Sequence, residues 1–580
     1  MRPLTSRHFA VVHTLLKSSI RNMLHFATKK KISSLLLILG PITSLAISPF
    51  SNFDPINLIK MVFVVSLAGA LLMLLFYSCV NGITNCSKPL LLICLGFVGW
   101  MLLSIWVSNA PTSQQIWGVF GRSTGLVTYS SLIIIFFAAA TLSIRSTYHK
   151  LVDALVLTSI PMTLYALVQI AERDPISWSE MAPFSTLGNI NFSSAFFGLA
   201  ALCALVLSLD SKNSLILRLG LGTLSLVQML VVLETGSIQG FMIFVAGMGI
   251  ASSLWLKSRP RLKVLQVPYV LLGLLGIGGV VAALFNVGPF ARFVFQNTIL
   301  FRFDYWYAGW VMTLKNPIFG VGLDSYGDWY RELRGEVATL RTGPDRITNT
   351  AHNIYLDISA SGGFPLLIFY LAILGLALRA AIKVVRRQKD FNPYFTALFS
   401  AWIAYLIQAG VSINQIGVGI WGWLFTGALI GYEVITREEH SRLIAKSAVA
   451  KQSSQLPASA ALLGILGFVV GFALAFVPLN ADSNFKDSLQ SGVARDQFIA
   501  SKALGATAYH MELALDAAIK ANDEVLASEI TNELLKRYPR DFMAWQVKQV
   551  LTSSTPEERE FAYQRLKAMD PYNPNIQRVG

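Results

Sequence analysis

His352 sits in the segment TNTAHNIYLDISASGGFP, immediately ahead of a long apolar run. An unperturbed imidazole titrates near 6.5, so at neutral pH it can accept a proton from a hydroxyl and turn an alcohol into a nucleophile. The surrounding stretch, residues 286–363, contains seven basic and seven acidic residues, and six of the basic ones are arginine (Arg292, Arg302, Arg331, Arg334, Arg341 and Arg346). A guanidinium fork binds phosphate through paired hydrogen bonds, and the interleaved rings, among them Phe301, Tyr305, Trp306 and Trp329, suit a sugar face or a membrane surface. Base catalysis beside a phosphate-bearing group is the chemistry this pattern permits. The plainer alternative is a structural histidine in an amphipathic loop whose balanced charges pair with one another.

Three more polar segments open apolar runs. GVFGRSTGLVTY sets Arg122 between glycines where helix N-terminal amides also attract anions. STLGNINFSSAFFG places Asn189 and Asn191 at the head of another run, and ETGSIQG is a tight turn carrying Glu234, Ser237 and Gln239. Alone, each resembles an ordinary interface turn. They gain meaning only if the elements that carry them bring them to one side.

Those elements are membrane spans. The chain has 580 residues, is 54% hydrophobic and 14% charged, and has a mean hydropathy of +0.55, which excludes an ordinary soluble protein. Thirteen runs are long enough for a bilayer core of about 30 Å: roughly 32–49, 57–78, 89–108, 126–144, 150–171, 190–209, 215–233, 237–256, 267–285, 364–384, 394–413, 417–435 and 459–478. With the N-terminus inside, 25 basic residues fall on the inner segments and two, Arg122 and Arg173, on the short outer loops. The net charge of +15 is therefore an orientation signal, and nucleic acid drops out as a partner. Lys29, Lys30 and Lys31 precede the first run as they would a signal peptide, but a second span follows at once, so an uncleaved anchor is expected.

The expected fold is an all-α polytopic integral membrane protein. Residues 1–31 form a cytoplasmic amphipathic segment, 32–285 the first nine spans, 286–363 an extracytoplasmic catalytic loop, 364–478 the last four spans and 479–580 an extracytoplasmic helical tail. Within residues 4–27 the apolar positions Val12, Leu15, Leu16, Ile20, Met23 and Leu24 approach helical spacing, as in a helix lying on the inner leaflet; His8, His13 and His25 match no metal motif. Tail helices are expected at 483–503, 507–519, 522–537, 541–552 and 556–568, with proline breaks at Tyr538-Pro539 and Asp570-Pro571. Those breaks lie 32 residues apart, near the tetratricopeptide period. Such an array offers a docking surface for an acceptor or simply caps the molecule. Cys79, Cys86, Cys94 and Cys203 show neither a disulfide framework nor zinc spacing, and no metal or cofactor is expected. With no Walker loop and no outer D-x-D pair, a donor needing ATP or a metal-held sugar nucleotide is disfavoured against one already activated and membrane-held.

The segments RFDYWYAGWVMTLKNPIFGVGLDSYGDWY (302–330) and TAHNIYLDISASGGFPLLIFYLAILG (350–375) resemble the signature region of the bacterial O-antigen ligase and O-antigen polymerase (Wzy-C-like) superfamily, which includes protein O-oligosaccharyltransferases. FGRSTG (120–125) and GNINFSSAF (188–196) resemble motifs of its ligase-like branch, and together the similarity spans about residues 110–435. The resemblance implies a GT-C-like glycosyltransferase of the bacterial cytoplasmic (inner) membrane. It implies His352 as catalytic base and Arg302 as a contact to the pyrophosphate of a polyprenyl-linked glycan donor, with a lipid, glycan or protein hydroxyl as acceptor. Family members carry a second arginine in a T-x-S-R-G turn; here that turn reads Thr235-Gly236-Ser237-Ile238-Gln239-Gly240, so Arg122 and Gln239 are the expected replacements. Asn189, Asn191, Tyr326, Arg341, Arg346 and Asn353 are further candidate substrate contacts. The implied reaction is metal-independent and inverting. A polymerase of the same superfamily is the alternative within the family, and a polytopic transporter, for which Lys60 inside a span is the one pointer, is the alternative outside it.

Overall fold

The computed structural model describes residues 27–83, 87–142, 144–178, 183–295, 297–442 and 456–578. The amphipathic segment expected over residues 4–27, with its three histidines, lies outside the described residues but for its last position. Every described element is helical. The apolar bundle contains α1 (27–45), α2 (Asn57–Val80), α3 (Lys88–Val107), the short α4 (Thr112–Trp117), α5 (Leu126–Thr141), α6 (Arg145–Ile170), α7 (Ile190–Ser208), α8 (Leu215–Glu234), α9 (Ile238–Lys257) and α10 (Gln266–Leu284). After it come α11 (Ala291–Val294), α12 (Asn297–Lys315), α13 (Tyr326–Leu333) and α14 (Glu336–Thr342), then the long α15 (Ile354–Arg387), α16 (Pro393–Ala409), α17 (Ile416–Arg442) and α18 (Ala458–Gln490). The tail adds α19 (Ala494–Ser501), α20 (Ala508–Lys520), α21 (Glu524–Arg537), α22 (Phe542–Val550) and α23 (Pro556–Met569).

Each of the thirteen apolar runs lies mainly within a helix, and ten described helices are long and apolar enough to cross a membrane. The runs at 126–144 and 394–413 yield helices of only 16 and 17 residues. Packing separates centre from periphery. α7 and α17 are buried along most of their length, whereas α10 buries only Ala283 and exposes leucines and valines all round, as a helix facing lipid does. Lipid offers no hydrophobic drive between helices, so close contact depends on small residues. The α2/α18 seam is built this way: a methyl group at Gly69 would lie 2.1 Å from the carbonyl oxygen of Gly467, and one at Gly471 2.5 Å from that of Val65.

Loops expected to share a face do gather at one end of the bundle. Asn57 Nδ2 donates to the Gly121 carbonyl at 2.6 Å, Gln415 Nε2 to Asn57 Oδ1 at 3.1 Å, and Thr186 Oγ1 to the Ser44 carbonyl at 2.7 Å. Lys60, the charge inside a span, closes the end of α1. Its Nζ donates to the carbonyls of Thr43, Ser44 and Ala46 at 3.1, 2.9 and 2.8 Å, satisfying oxygens that a helix C-terminus leaves bare. This is a structural use and removes the one pointer to a transport charge.

The tail departs from expectation at its root. No break separates it from the last span, because α18 runs on through Pro478 to Gln490. Proline lacks the N–H that would bond to residue 474; the Leu474 carbonyl thus left free accepts Trp117 Nε1 at 3.0 Å, so the helix continues. The later breaks, at 538–541 and 570–575, fall where the prolines put them. The tail packs around Phe498, Met511, Leu515, Ile530 and Leu534 and is bolted to the loop region by charge. Arg334 Nη2 meets Asp570 Oδ2 at 2.7 Å with both side chains fully buried, Arg331 Nη1 reaches the same oxygen at 3.1 Å, and Arg540 Nη2 meets Glu332 Oε2 at 2.6 Å. Removing one partner of a buried ion pair typically costs about 3–5 kcal/mol, because the other charge stays buried. Asp570→Ala is therefore expected to lower thermal stability by that order and to expose the tail to limited proteolysis; an unchanged digestion pattern would show that the tail is held otherwise.

Candidate active site

His352 is placed by a helix that bends. α15 carries non-helical backbone at Gly362 (φ −133°, ψ 16°) and Gly363 (φ 72°, ψ −174°), which divides a short first segment from the apolar remainder at the position where the sequence begins the span. The turn Asn316–Val321 fits into this bend: Phe364 N donates to the Pro317 carbonyl at 2.8 Å and Val321 N to the Ala360 carbonyl at 2.8 Å. A side chain at Gly363 would lie 2.3 Å from the Ile318 carbonyl oxygen and would face a left-handed backbone besides. Trp100 Nε1 caps the joint by donating to the Gly362 carbonyl at 2.9 Å. Thus the proline–glycine turn after α12 and the first segment of α15 form one rigid corner.

The residues before α15 are held by its own carboxylate. Asp357 accepts from Thr350 Oγ1 at 2.5 Å and Ala351 N at 2.7 Å, and Asn353 caps the helix by accepting from the Tyr355 and Leu356 amides at 3.0 and 3.2 Å. Between them His352 is forced to φ 51°, a left-handed conformation uncommon for a residue with a Cβ. Its amide donates to Thr350 Oγ1 at 3.1 Å, and its Nδ1 lies 3.4 Å from the Thr350 carbonyl. A proton on Nδ1 faces that oxygen and leaves the Nε2 lone pair to act as base. Burial, and after it the charge of Arg302, push the imidazole down to about 4, so it is neutral throughout the neutral range.

Arg302, on α12, acts on this histidine through its charge. Burial lowers its proton affinity, and no ion pair joins it to a carboxylate among the described residues. The Tyr305 ring lies 5.3 Å from the His352 ring, and its backbone carbonyl accepts the Tyr326 hydroxyl at 2.6 Å. Arg346, whose charge also acts on Tyr305, stands over the Phe301 ring at 4.6 Å. A half-buried cation without a carboxylate partner among the described residues, near a neutral base, is suited to hold an anion next to a group being deprotonated.

Arg122 occupies a different position from the one its motif suggests. It is 8% exposed, donates Nη1 to the Asn349 carbonyl at 3.0 Å, and lies between Asp324 (Nε to Oδ1, 3.7 Å) and Asp357 (Nη2 to Oδ2, 3.9 Å). Two carboxylates already compensate its charge, so it works on His352 from behind as a positioning group. Asp324 in turn accepts from Val119 N at 2.9 Å and Thr124 Oγ1 at 3.2 Å, joining the FGRSTG turn to the loop. Other candidates also prove occupied. The Tyr326 hydroxyl is spent on Tyr305, Asn353 Oδ1 on its helix cap, and Arg341 on Asp304 at 3.2 Å.

Asn189, Asn191 and Gln239 form a second group, at the heads of α7 and α9. Asn189 caps α7 by accepting from Asn191 N at 2.8 Å, Asn191 Oδ1 accepts from Ser237 Oγ at 2.7 Å, and Gln239 Oε1 is buried with no hydrogen-bond partner among the described residues. No hydrogen bond or ion pair among the described residues joins this group to His352. The groups that sequence reasoning missed are Asp324, Asp357 and Tyr305. The balance of seven acids against seven bases in the loop was the signal that some arginines are spoken for.

Residues 222–371 match the family model described as O-antigen ligase, a region running from α8 past the bend in α15 and containing Arg302 and His352. A comparison with curated proteins gave no match. Arg122→Met leaves Asp324 and Asp357 buried without their cation, and the expected result is a loss of about 3–5 kcal/mol in thermal stability. Adding Asp324→Asn should recover part of that loss. If the single variant is as stable as the parent, the arginine is not the strut described.

Proposed function

We propose, from the premise that residues 222–371 form an O-antigen ligase domain of a multi-pass membrane protein, that this protein transfers a glycan from a polyprenyl-pyrophosphate carrier to an acceptor hydroxyl. In this reading the protein lies in the bacterial cytoplasmic membrane, with thirteen spans, the N-terminus inside, and the His352 end and tail outside. The observation that carries the reading is the guanidinium of Arg302, without an ion pair among the described residues, whose charge acts on the neutral imidazole of His352.

The steps follow from those two groups. The lipid chain of the donor lies in the bilayer beside α10, and its pyrophosphate pairs with Arg302. His352 Nε2 takes the proton of the acceptor hydroxyl, whose oxygen attacks the anomeric carbon from the face opposite the leaving group. The bond from that carbon to the pyrophosphate oxygen breaks, the electron pair stays on the oxygen, and Arg302 compensates the charge. Configuration at the anomeric carbon is inverted. Arg346 and Tyr305 line the donor side, while Gln239, Asn189 and Asn191 form a separate polar patch for more distant sugars. Arg122 keeps the His352 turn in place and adds positive potential. A ligase, rather than a polymerase that joins two lipid-linked repeats, is favoured by the tail, which is fixed against the loop and gives a larger acceptor a surface to meet.

Donor binding also adjusts the base. Arg302 lowers the basicity of His352, so an anion on Arg302 relieves that effect and returns proton affinity to the imidazole when it is needed. His352→Ala or His352→Gln is expected to abolish transfer, with lipid-linked glycan accumulating while the protein remains in the membrane; normal surface glycan in those variants would remove the proposal. In the parent the base form is lost as pH falls through about 4 in the free enzyme. Because Arg302→Gln removes a repelling charge, the acid limb of kcat/KM should move to higher pH, on top of a large loss of rate. A limb that stays in place or moves down would show that Arg302 does not act on this histidine.

A further inference from the structure

A diphosphate carries negative charge on both of its phosphates, and one guanidinium fork fits one of them. Arg302 answers the phosphate nearer His352, so the other needs a second cation close by. Most of the arginines around the site are already committed: Arg331 and Arg334 to Asp570, Arg341 to Asp304, and Arg122 to Asp324 and Asp357. Gln239 has no charge and belongs to the separate group at the head of α9. Arg346 has no ion pair among the described residues, and its guanidinium stands 4.6 Å over the Phe301 ring.

α12 sets the spacing of the two cations. Phe301 and Tyr305 are four residues apart on this helix and Arg302 and Tyr305 three, so Tyr305 is the neighbour of both across one turn. Arg346, stacked on Phe301, therefore approaches Tyr305 from one side and Arg302 from the other. Burial holds the Tyr305 phenol above its usual value; the arginines that oppose this are Arg346 first and Arg302 after it, while Asp304, itself paired with Arg341, works with burial. The phenol thus stays a proton donor, and its hydroxyl has no hydrogen bond among the described residues. Its ring lies 5.3 Å from that of His352, and the charges acting on the imidazole are those of Arg302 and Arg122. An exposed arginine is ordinarily just hydrated, but the main chain of this one is fixed: Arg334 Nη1, from a side chain buried on Asp570, donates to the Arg346 carbonyl at 3.1 Å.

We propose that Arg346 determines specificity for a diphosphate over a monophosphate carrier: Arg302 holds the sugar-bearing phosphate beside His352, Arg346 holds the lipid-bearing phosphate, and the Tyr305 hydroxyl donates to the oxygens between them. The proposal rests on the transfer reading above for the identity of the donor. It divides the labour of the two cations. Arg302 acts on the leaving oxygen and on the base, whereas Arg346 contributes affinity alone.

The test is equilibrium binding of sugar-free polyprenyl diphosphate and polyprenyl monophosphate, matched in chain length, to the full-length protein in nanodiscs of uncharged phosphatidylcholine. A charge-assisted contact to one more phosphate corresponds to about ten-fold or more in affinity, and the parent should prefer the diphosphate by that factor. Arg346→Gln, which keeps the main-chain carbonyl that Arg334 needs, should bring the ratio close to one by weakening the diphosphate alone; Arg346→Lys should keep part of the preference, and Arg302→Gln should weaken both carriers. In transfer assays Arg346→Gln should raise the donor KM and leave the acid limb of kcat/KM at the parent's position. An undiminished diphosphate preference in Arg346→Gln, or a shifted acid limb, overturns the proposal while the transfer reading stands. Failure of the parent to bind either carrier overturns the transfer reading and the proposal with it.

Discussion

Arg122 is largely enclosed with Asp324 and Asp357, and the three charges come from three separate parts of the chain. A buried ion set of this kind contributes little net stability compared with apolar packing, but it tolerates only one arrangement of its members. Asp324 fixes the turn before α5, Asp357 fixes the turn before α15, and the Arg122 hydrogen bond to the Asn349 carbonyl fixes the strand between them. If the set loosens, the left-handed conformation of His352 has nothing to impose it. The His352 imidazole is therefore located by charges outside its own turn, with the glycine bend of α15 as the mechanical stop on the other side.

The same logic explains how several arginines are consumed in ion pairs while others have none among the described residues. Arg331 and Arg334 converge on Asp570, Arg341 on Asp304 and Arg122 on its two aspartates, each arginine consumed in holding elements together. Arg302 and Arg346 differ in having no ion pair to a carboxylate among the described residues. A buried charge without a partner costs free energy in the resting protein, and an incoming anion recovers it. In the proposed reaction, affinity for a charged donor and suppression of the base in its absence come from a single placement.

The sequence was informative where one run of residues decides the outcome. Continuous apolar stretches became helices, the glycines at 362 and 363 marked the division between loop and span, and prolines 539 and 571 marked tail breaks. It was uninformative where partners come from distant parts of the chain. Nothing local to Arg122 reveals Asp324 or Asp357, more than 200 residues away, and Pro478 does not break its helix because Trp117 supplies the missing donor from elsewhere. The position of His352 just ahead of a span was legible in the chain; the aspartate that holds its turn, five residues on, was not, since an acidic residue in a first helical turn has many ordinary uses.

The unbroken passage of α18 from bundle to tail has a consequence for where transfer can happen. Its 33 residues extend about 50 Å, against roughly 30 Å of hydrocarbon, and leave no hinge at the boundary. A tail on such a mast cannot lean out to collect distant molecules or adapt its height. In the proposed reaction the span acts as a gauge, admitting only those hydroxyls that lie at one set distance above the lipid surface, and membrane thickness itself becomes a determinant of which sites are modified.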